Sequence, residues 1–181
     1  MTTLEIARRP TPLGNVRMAL HQGALCALAF EDSQPPLPWM LERRFGRFES
    51  GEPGVGAARV ARALDAYFSG DLYQLDALAV DPGGTAFQRA VWSALRAVPA
   101  GETVSYGALA RGIGRPDAAR AVGAACGANP IWLVVPCHRA IGSDGRLVGY
   151  AGGLQRKGWL LGHEQTTQGR IAGRRGSTAA A

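Results

Sequence analysis

The chain has 181 residues, of which 46% are hydrophobic, and carries a formal net charge of +6. This length suits one large domain or two small ones and is enough to bury a hydrophobic core. No apolar run approaches the roughly 20 residues of a membrane span. The first residues, MTTLEIARRPTPLG, lack the apolar segment of a secretory signal. The sequence therefore predicts a cytoplasmic protein that does not bind membranes.

The positive charge leaves two interpretations open. A basic chain favours an anionic partner, most often nucleic acid, but a solvated basic surface can carry the same charge without a partner. Part of the excess lies near the C-terminus, where Arg170, Arg174 and Arg175 have no acidic neighbours. From this composition we predict a basic, disordered tail over residues 166–181.

Residues 1–80 have the pattern of a mixed α/β unit. Three short apolar segments predict strands: LEIARR, VRMALH and ALCALAF. The three prolines of EDSQPPLPWM predict a loop, and GVGAARVARALDAYFSG has apolar residues at helical spacing. DLYQLDALAV has a strand-like pattern, and DPGG at residues 81–84 predicts a linker between two domains.

The second half has a helical pattern. TAFQRAVWSALRAV is amphipathic, with Thr85 as an N-cap, and predicts a helix that ends before Pro99. Two short helices, SYGALARGIG and PDAARAVGAACGA, are then separated by a turn that contains glycine. This arrangement is typical of a helix-turn-helix, although two core helices of an ordinary bundle give the same pattern.

In a helix-turn-helix the second helix faces DNA, and basic residues reach the DNA from it. Arg115 and Arg120 are the basic candidates here. Small side chains would let this helix lie close to another surface, and the segment contains six of them: Ala118, Ala119, Ala121, Gly123, Ala124 and Ala125.

The cysteines are Cys26, Cys126 and Cys137. An odd number without a secretory signal argues against a disulfide framework. We expect Cys26 and Cys126 to pack in the core, because apolar or small residues surround both. Cys137 differs, because His138 and Arg139 follow it directly.

Cys137 follows the apolar run IWLVVP, which predicts a buried strand. A free thiol has a pKa of about 8.5, so a nucleophilic cysteine needs a base or a positive charge nearby. In a turn, His138 can approach the thiol directly or through one water, and His163 or Glu164 could orient an imidazole. A packing cysteine beside a surface histidine is the alternative, while adjacent cysteine and histidine have poor spacing for a metal site.

The linked motifs of the second half resemble one family. VPCHR, the preceding ANP and the following VGYAGGLQRKGWLLGHE are similar to the O6-alkylguanine-DNA alkyltransferases, also called methylated-DNA–protein-cysteine methyltransferases. The resemblance covers residues 82–164, and TPLG near residue 11 fits the family's N-terminal domain. Three further segments occur in the family's order and spacing: TAFQRAVW, AVPAGETVSYGALA and AARAVGAACGANP.

This resemblance implies an α/β plus α fold. A ribonuclease H-like α/β domain would occupy residues 1–80. A helical domain with the helix-turn-helix and the PCHR active site would occupy residues 81–165, followed by the tail. The resemblance also implies DNA repair without a cofactor, in which Cys137 takes the alkyl group from O6 of a flipped-out guanine and each molecule acts once.

The partner implied by the resemblance is double-stranded DNA bound through its minor groove. O4-alkylthymine is a further candidate substrate. We expect a monomer, which could bind cooperatively along DNA. Some family members bind a structural zinc near their N-terminus, but only His21 and Cys26 match that region here, so we predict no metal.

The resemblance also assigns the catalytic residues. Cys137 would be the acceptor, and His138 would take its proton through a bridging water. Glu164 would hold the imidazole, and Asn129 would brace the turn that carries the cysteine. Tyr106 would line the pocket and donate a proton to the guanine.

Further residues are assigned by the same comparison with the family. Arg120 would fill the gap left by the flipped nucleotide, and Arg139 would tie down the turn. Arg115 and the small residues Ala119, Ala121 and Gly123 would contact DNA.

The guanine pocket would be built from Tyr150, the Ala151 N–H and the carbonyls of Cys137 and Ala140. Cys126 would lie near the pocket where some members carry methionine, and Ala151 replaces a common serine.

Three alternatives are less consistent with the sequence. An alkyltransferase-like protein that only binds the lesion would lack the cysteine of PCHR, which is present here. A cysteine hydrolase would have a different context around its nucleophile. A regulator that senses methylation would carry an extra domain, for which this chain is too short.

Overall fold

The computed structural model describes the backbone of residues 1–177 and the side chains of residues 1–170. The first half of the chain contains a four-stranded sheet with the strand order β3-β2-β1-β4. β1 pairs antiparallel with β2 and parallel with β4, and β2 pairs antiparallel with β3. The first three strands are those predicted from the sequence. The strands are β1 (Thr2–Arg9), β2 (Val16–His21), β3 (Ala24–Phe30) and β4 (Phe48–Gly51).

The outer edge of β3 is covered by later parts of the chain. Single parallel bridges join Leu25 to Val80 and Leu28 to Ile131. At the second bridge, Leu28 makes two backbone hydrogen bonds, each 2.9 Å long. Pairing the edge removes exposed backbone groups, and it anchors the segment that leads into Cys137 on the sheet.

Helices α1 (Leu37–Phe45) and α2 (Val55–Phe68) pack near this sheet, and α2 is the predicted helix. The proposed loop EDSQPPLPWM is wrong in its second part, because α1 begins inside it. Pro38 lies at the start of α1, where the helix needs no backbone N–H donor.

The prediction of a strand in DLYQLDALAV is also wrong, since this segment forms turns and only Val80 makes a bridge. Its buried leucines, Leu72, Leu75 and Leu78, lie three residues apart rather than two. A spacing of two would be needed to place them on one face of a strand.

The second half contains α3 (Ala86–Arg96), α4 (Tyr106–Gly112), α5 (Ala119–Gly127) and α6 (Leu154–Ser177). Thr85 caps α3 as predicted, in a reciprocal capping box with Gln88. α5 begins later than predicted, at Ala119 rather than Pro116. Two short strands pair in parallel, β5 (Val104–Ser105) and β6 (Ala140–Ile141).

Two further predictions were wrong. The run IWLVVP is buried but forms a tight turn instead of a strand, with Leu133 at a positive φ of 69°. The tail from residue 166 was predicted to be disordered, but α6 continues through it to Ser177. Residues 178–181 of that tail lie outside the described part of the chain. Among the described helices, none has the length and apolarity that crossing a membrane requires.

Candidate active site

Cys137 begins a single 3-10 turn, Cys137–Arg139, at the end of the buried IWLVVP segment. Its side chain is buried, and its Sγ accepts a hydrogen bond from Asn129 Nδ2 at 3.2 Å. The same amide donates to Val135 O at 2.8 Å, and Asn129 Oδ1 accepts from Ile131 N at 2.9 Å. Asn129 therefore ties together both ends of the turn that carries the thiol.

The environment of Cys137 favours the neutral thiol. Burial raises the pKa of Cys137 to about 11, although the Asn129 hydrogen bond and the charge of Lys157 act in the opposite direction. At neutral pH the thiol is therefore protonated in this structure. A reaction that uses it as a nucleophile needs a group that takes the proton during the reaction.

His138 is completely buried, and its Nε2 lies 2.9 Å from Glu164 Oε1. An ionised carboxylate can only accept, so Nε2 carries the ring proton and Nδ1 of the neutral ring is a free acceptor. Among the described residues, Nδ1 is buried and has no hydrogen-bond partner. Burial lowers the pKa of His138, and Glu164 opposes this effect without reversing it. Nδ1 is thus a base whose lone pair accepts no proton from any residue that the structure describes.

Glu164 is buried next to His138, and each of its carboxylate oxygens accepts more than one hydrogen bond. Burial alone would raise its pKa, but the hydrogen bonds and charges of His138 and Arg139 hold the pKa of Glu164 below its ordinary range. Its two oxygens accept five hydrogen bonds, from Tyr67 OH (2.8 Å), His138 Nε2 (2.9 Å), Arg139 Nη2 (2.9 Å) and Nε (3.0 Å), and Gly101 N (2.9 Å).

The other sequence candidate for orienting the imidazole, His163, lies elsewhere. Its Nε2 pairs with the backbone oxygen of Tyr67 at 2.9 Å, and its ring stacks on Trp159 at 5.0 Å. Arg139, for which a structural role was predicted, also donates from Nη1 to Val98 O at 2.6 Å.

A cavity of about 160 Å³ opens beside the thiol. Tyr106 OH donates to Val148 O at 3.0 Å, and Tyr150 OH is buried without a partner among the described residues. The ring of Tyr150 lies against Gly152, where any Cβ would approach it to 2.6 Å. The lining combines residues from four separate segments, namely Tyr106, Gly123, Cys126, Gly127, Cys137, Gly149, Tyr150 and Ala151.

Ala140 was predicted to contribute its carbonyl to this pocket, but that carbonyl accepts a hydrogen bond from Lys157 Nζ at 2.5 Å. Lys157 is completely buried and also donates to Val148 O (2.7 Å) and Gly149 O (3.1 Å). Lys157 therefore holds together the two ends of the loop that leads into one wall of the cavity. Lys157 was missed from the sequence, although it lies seven residues before Glu164, on the buried stripe of α6.

The predicted DNA-binding residues lie on or next to α5. Arg115, Arg120 and Ala121 are exposed, and Ala119 and Gly123 are half-buried. Within the described part of the chain, the guanidinium groups of Arg115 and Arg120 have no hydrogen-bond or ion-pair partner. Not every small residue of the segment is accessible, because Ala125 is buried. Its carbonyl accepts a hydrogen bond from Trp92 Nε1.

No group of three or more potential metal ligands occurs among the described residues. Of the two residues in the region that matches a zinc site, Cys26 is buried and its Sγ donates to Ala19 O, and His21 packs on Phe45. Cys26 and Cys126 are both buried, as predicted.

Comparison with known proteins gives a consistent result. A family model described as "6-O-methylguanine DNA methyltransferase, DNA binding domain" matches residues 86–166. A methylated-DNA–protein-cysteine methyltransferase of Salmonella typhimurium is 48% identical over 160 residues, 85% of this chain and 91% of the relative. A protein of the same name from Methanosarcina acetivorans is 52% identical over 155 residues, 83% and 92% of the two chains.

Solved structures show the same relationship. The O6-methylguanine methyltransferase of Mycobacterium tuberculosis is 39% identical, with a TM-score of 0.74 over 92% of this chain and 94% of that chain. The structure of OGT from the same organism in complex with DNA is 38% identical, with a TM-score of 0.76 over 91% and 94%. This chain therefore belongs to the methylated-DNA–protein-cysteine methyltransferase family.

Proposed function

We propose that this protein repairs DNA by transferring the alkyl group from O6 of guanine in duplex DNA to Cys137. The observation that carries this proposal is the position of the Cys137 thiol. It lies in the wall of a small cavity. The next residue in the chain, His138, is buried and pairs with the buried Glu164. The relatives named above support the same reaction class.

The proposed step forms a bond between Cys137 Sγ and the alkyl carbon while the bond from that carbon to guanine O6 breaks. The thiol proton passes to His138 Nδ1, directly or through one water, and Glu164 stabilises the resulting imidazolium. Guanine leaves as an anion and takes a proton from Tyr106. The imidazolium later releases its proton, which restores Tyr106 through solvent. The products are an S-alkylcysteine and guanine, so each molecule acts once.

Tyr106 suits the role of proton donor. Burial raises the pKa of Tyr106 to about 12, with smaller contributions from the two neighbouring cysteines. The phenol is therefore protonated at neutral pH. In the pocket, the base would contact the Ala151 N–H and the Tyr150 hydroxyl, which has no partner among the residues described. The Ala140 carbonyl would share its lone pairs with Lys157.

We propose that α4 and α5 form a helix-turn-helix that binds the minor groove, and that the damaged base is flipped out of the duplex. The thiol is only 5% exposed, so a base that stays stacked could not reach it. Gly123 on α5 lines the same cavity as Cys137, which brings the DNA-facing helix next to the acceptor. Arg120, exposed on α5, would fill the gap in the stack. O4-alkylthymine is a second candidate substrate for the same pocket.

For the first half we propose a ribonuclease H-like domain over residues 1–80, followed by the alkyltransferase domain over residues 81–165. The sheet order β3-β2-β1-β4, with only β1 and β4 parallel, supports this assignment. The linker between the two domains is held in place, since Arg44 Nη2 pairs with Asp81 Oδ2 at 2.5 Å. We also propose a monomer in the cytoplasm.

The test is to incubate the protein with a duplex that contains one O6-methylguanine and to determine its mass. We expect one methyl group per molecule, located on the peptide with Cys137 and not on those with Cys26 or Cys126. Transfer should stop after one equivalent of DNA. Repaired DNA with unmodified protein, or several turnovers per molecule, would contradict the proposed reaction.

A second prediction concerns Arg120→Ala. Because unstacking a base costs a few kcal/mol, we expect transfer from duplex DNA to become roughly tenfold slower or more. Transfer from free O6-benzylguanine, which needs no flipping, should change much less. Arg62→Ala removes the same charge from the exposed face of α2 and is the control. Equal losses on both substrates would exclude the proposed role of Arg120.

A further inference from the structure

Tyr67 links the first half of the chain to the candidate active site. It lies in the last turn of α2, and its side chain is completely buried. Its hydroxyl donates to Glu164 Oε1 at 2.8 Å, and its backbone oxygen pairs with His163 Nε2 at 2.9 Å. One residue of α2 thus contacts two successive residues of α6, and one of these contacts is made to the carboxylate that binds His138.

The hydroxyl of Tyr67 is placed for more than packing. A phenylalanine would fill the same space without a buried polar atom, and burying a hydroxyl is unfavourable unless it is hydrogen-bonded. Burial, reinforced by the charge of Glu164, raises the pKa of Tyr67 well above its ordinary value. The phenol therefore stays protonated, and toward Glu164 it can act only as a donor.

Glu164 Oε1 is shared by three donors, namely Tyr67 OH, His138 Nε2 and Arg139 Nη2. A donor on this oxygen orients the carboxylate and also draws negative charge away from the histidine. We propose that Tyr67 is a positioning residue of alkyl transfer, which aligns Glu164 and adjusts the basicity of His138. This inference rests on the proposed function, and it makes the N-terminal half a part of the catalytic apparatus.

Other charged and titratable groups surround the His138–Glu164 pair. Arg139 and Lys157 both disfavour the imidazolium of His138. Burial, with a smaller contribution from the charge of Glu164, raises the pKa values of Tyr150 and Asp76. Cys137 precedes the histidine in the chain. Since a change at Tyr67 leaves all of these groups in place, a shift in the pH profile would report on the Tyr67 hydroxyl.

The test is the single-turnover rate of methyl transfer, measured against pH for Tyr67→Phe. Loss of a hydrogen bond to a charged group should slow transfer roughly tenfold. Without this donor the carboxylate stabilises the imidazolium more strongly, so the pKa of His138 rises. Transfer needs neutral His138, and the acid limb of the profile should therefore move to higher pH.

Tyr73→Phe is the matched control, because it also removes a phenol that contacts α6. Its oxygen accepts from Gln168 Nε2 at 2.6 Å and does not touch Glu164. We expect this control to have the wild-type rate and the wild-type acid limb. A second variant, with 3-fluorotyrosine incorporated only at residue 67, keeps the hydrogen bond and strengthens the donor. Its acid limb should move to lower pH.

An unchanged acid limb in both Tyr67 variants would overturn the inference, even if Tyr67→Phe were slower, because a structural effect alone lowers the rate without moving the limb. If Tyr67→Phe does not fold, the fluorotyrosine variant decides the question alone. A wild-type protein that leaves Cys137 unmethylated would instead overturn the proposed function. The two failures are therefore distinguishable.

Discussion

Cys137→Ala is expected to abolish alkyl transfer while leaving the protein folded. No other side chain can replace a thiolate at this position, so both methyl transfer to protein and repair of the duplex should fall below detection. Asn129 Nδ2 would lose its contact with the thiol but keep its bond to Val135 O. We therefore expect a loss of unfolding free energy of only about 1 kcal/mol. Mass determination and chemical denaturation measure the two effects.

Cys126→Ala is the control for this experiment, because Cys126 is a second buried thiol that lines the same cavity. Burial, with a smaller contribution from Cys137, raises the pKa of Cys126 to about 12, and no base is hydrogen-bonded to its sulfur among the described residues. The control should still take up one methyl group. Methylation of Cys126 in the Cys137→Ala variant would show that the cavity, rather than the position of Cys137, selects the acceptor.

Glu164→Ala is expected to have the largest effect on stability. It would leave the imidazole of His138, the guanidinium of Arg139 and the hydroxyl of Tyr67 without their common acceptor, all in the interior. Removing one partner from a buried ion pair typically costs about 3–5 kcal/mol of unfolding free energy. Transfer activity should be lost as well, because Glu164 is the only hydrogen-bond partner of the His138 ring among the described residues.

Denaturant titration of Glu164→Ala measures this loss, and Asp144→Ala is the control. Asp144 pairs with Arg146, but both side chains are solvent-exposed, so the control should change the unfolding free energy by less than about 1 kcal/mol. Similar losses in the two variants would mean that the buried network does not contribute as the structure implies.

The pH dependence of stability gives a related expectation for the same residue. The pKa of Glu164 is lower in the folded protein than its ordinary value. Its contribution is therefore fully present above the ordinary glutamate pKa and is lost as the pH falls toward the folded value. Wild-type protein should lose stability in acid more steeply than Glu164→Gln, which has no carboxyl group to titrate. Parallel stability curves for the two proteins would contradict this assignment.

Local patterns were sufficient for part of the fold. The short apolar segments of β1, β2 and β3 and the capped, amphipathic α3 follow from neighbours in sequence, and each was predicted correctly. Local patterns failed where burial, rather than periodicity, decides the conformation. IWLVVP has the composition of a strand, yet only Ile131 pairs with the edge of the sheet and Leu133 adopts a positive φ.

For the candidate site, the reactive groups can be identified without the fold. The PCHR motif and its flanking segments single out Cys137, His138 and Glu164, and adjacent reactive side chains need no long-range information to be noticed. Residue types alone left His163 and Glu164 as possible partners of the imidazole, and only the family resemblance favoured Glu164. In the folded chain Glu164 contacts the imidazole, and Tyr67 and Lys157 join the site. A local pattern cannot show these contacts, because Tyr67 and Glu164 are 97 residues apart and meet only when α2 and α6 pack together.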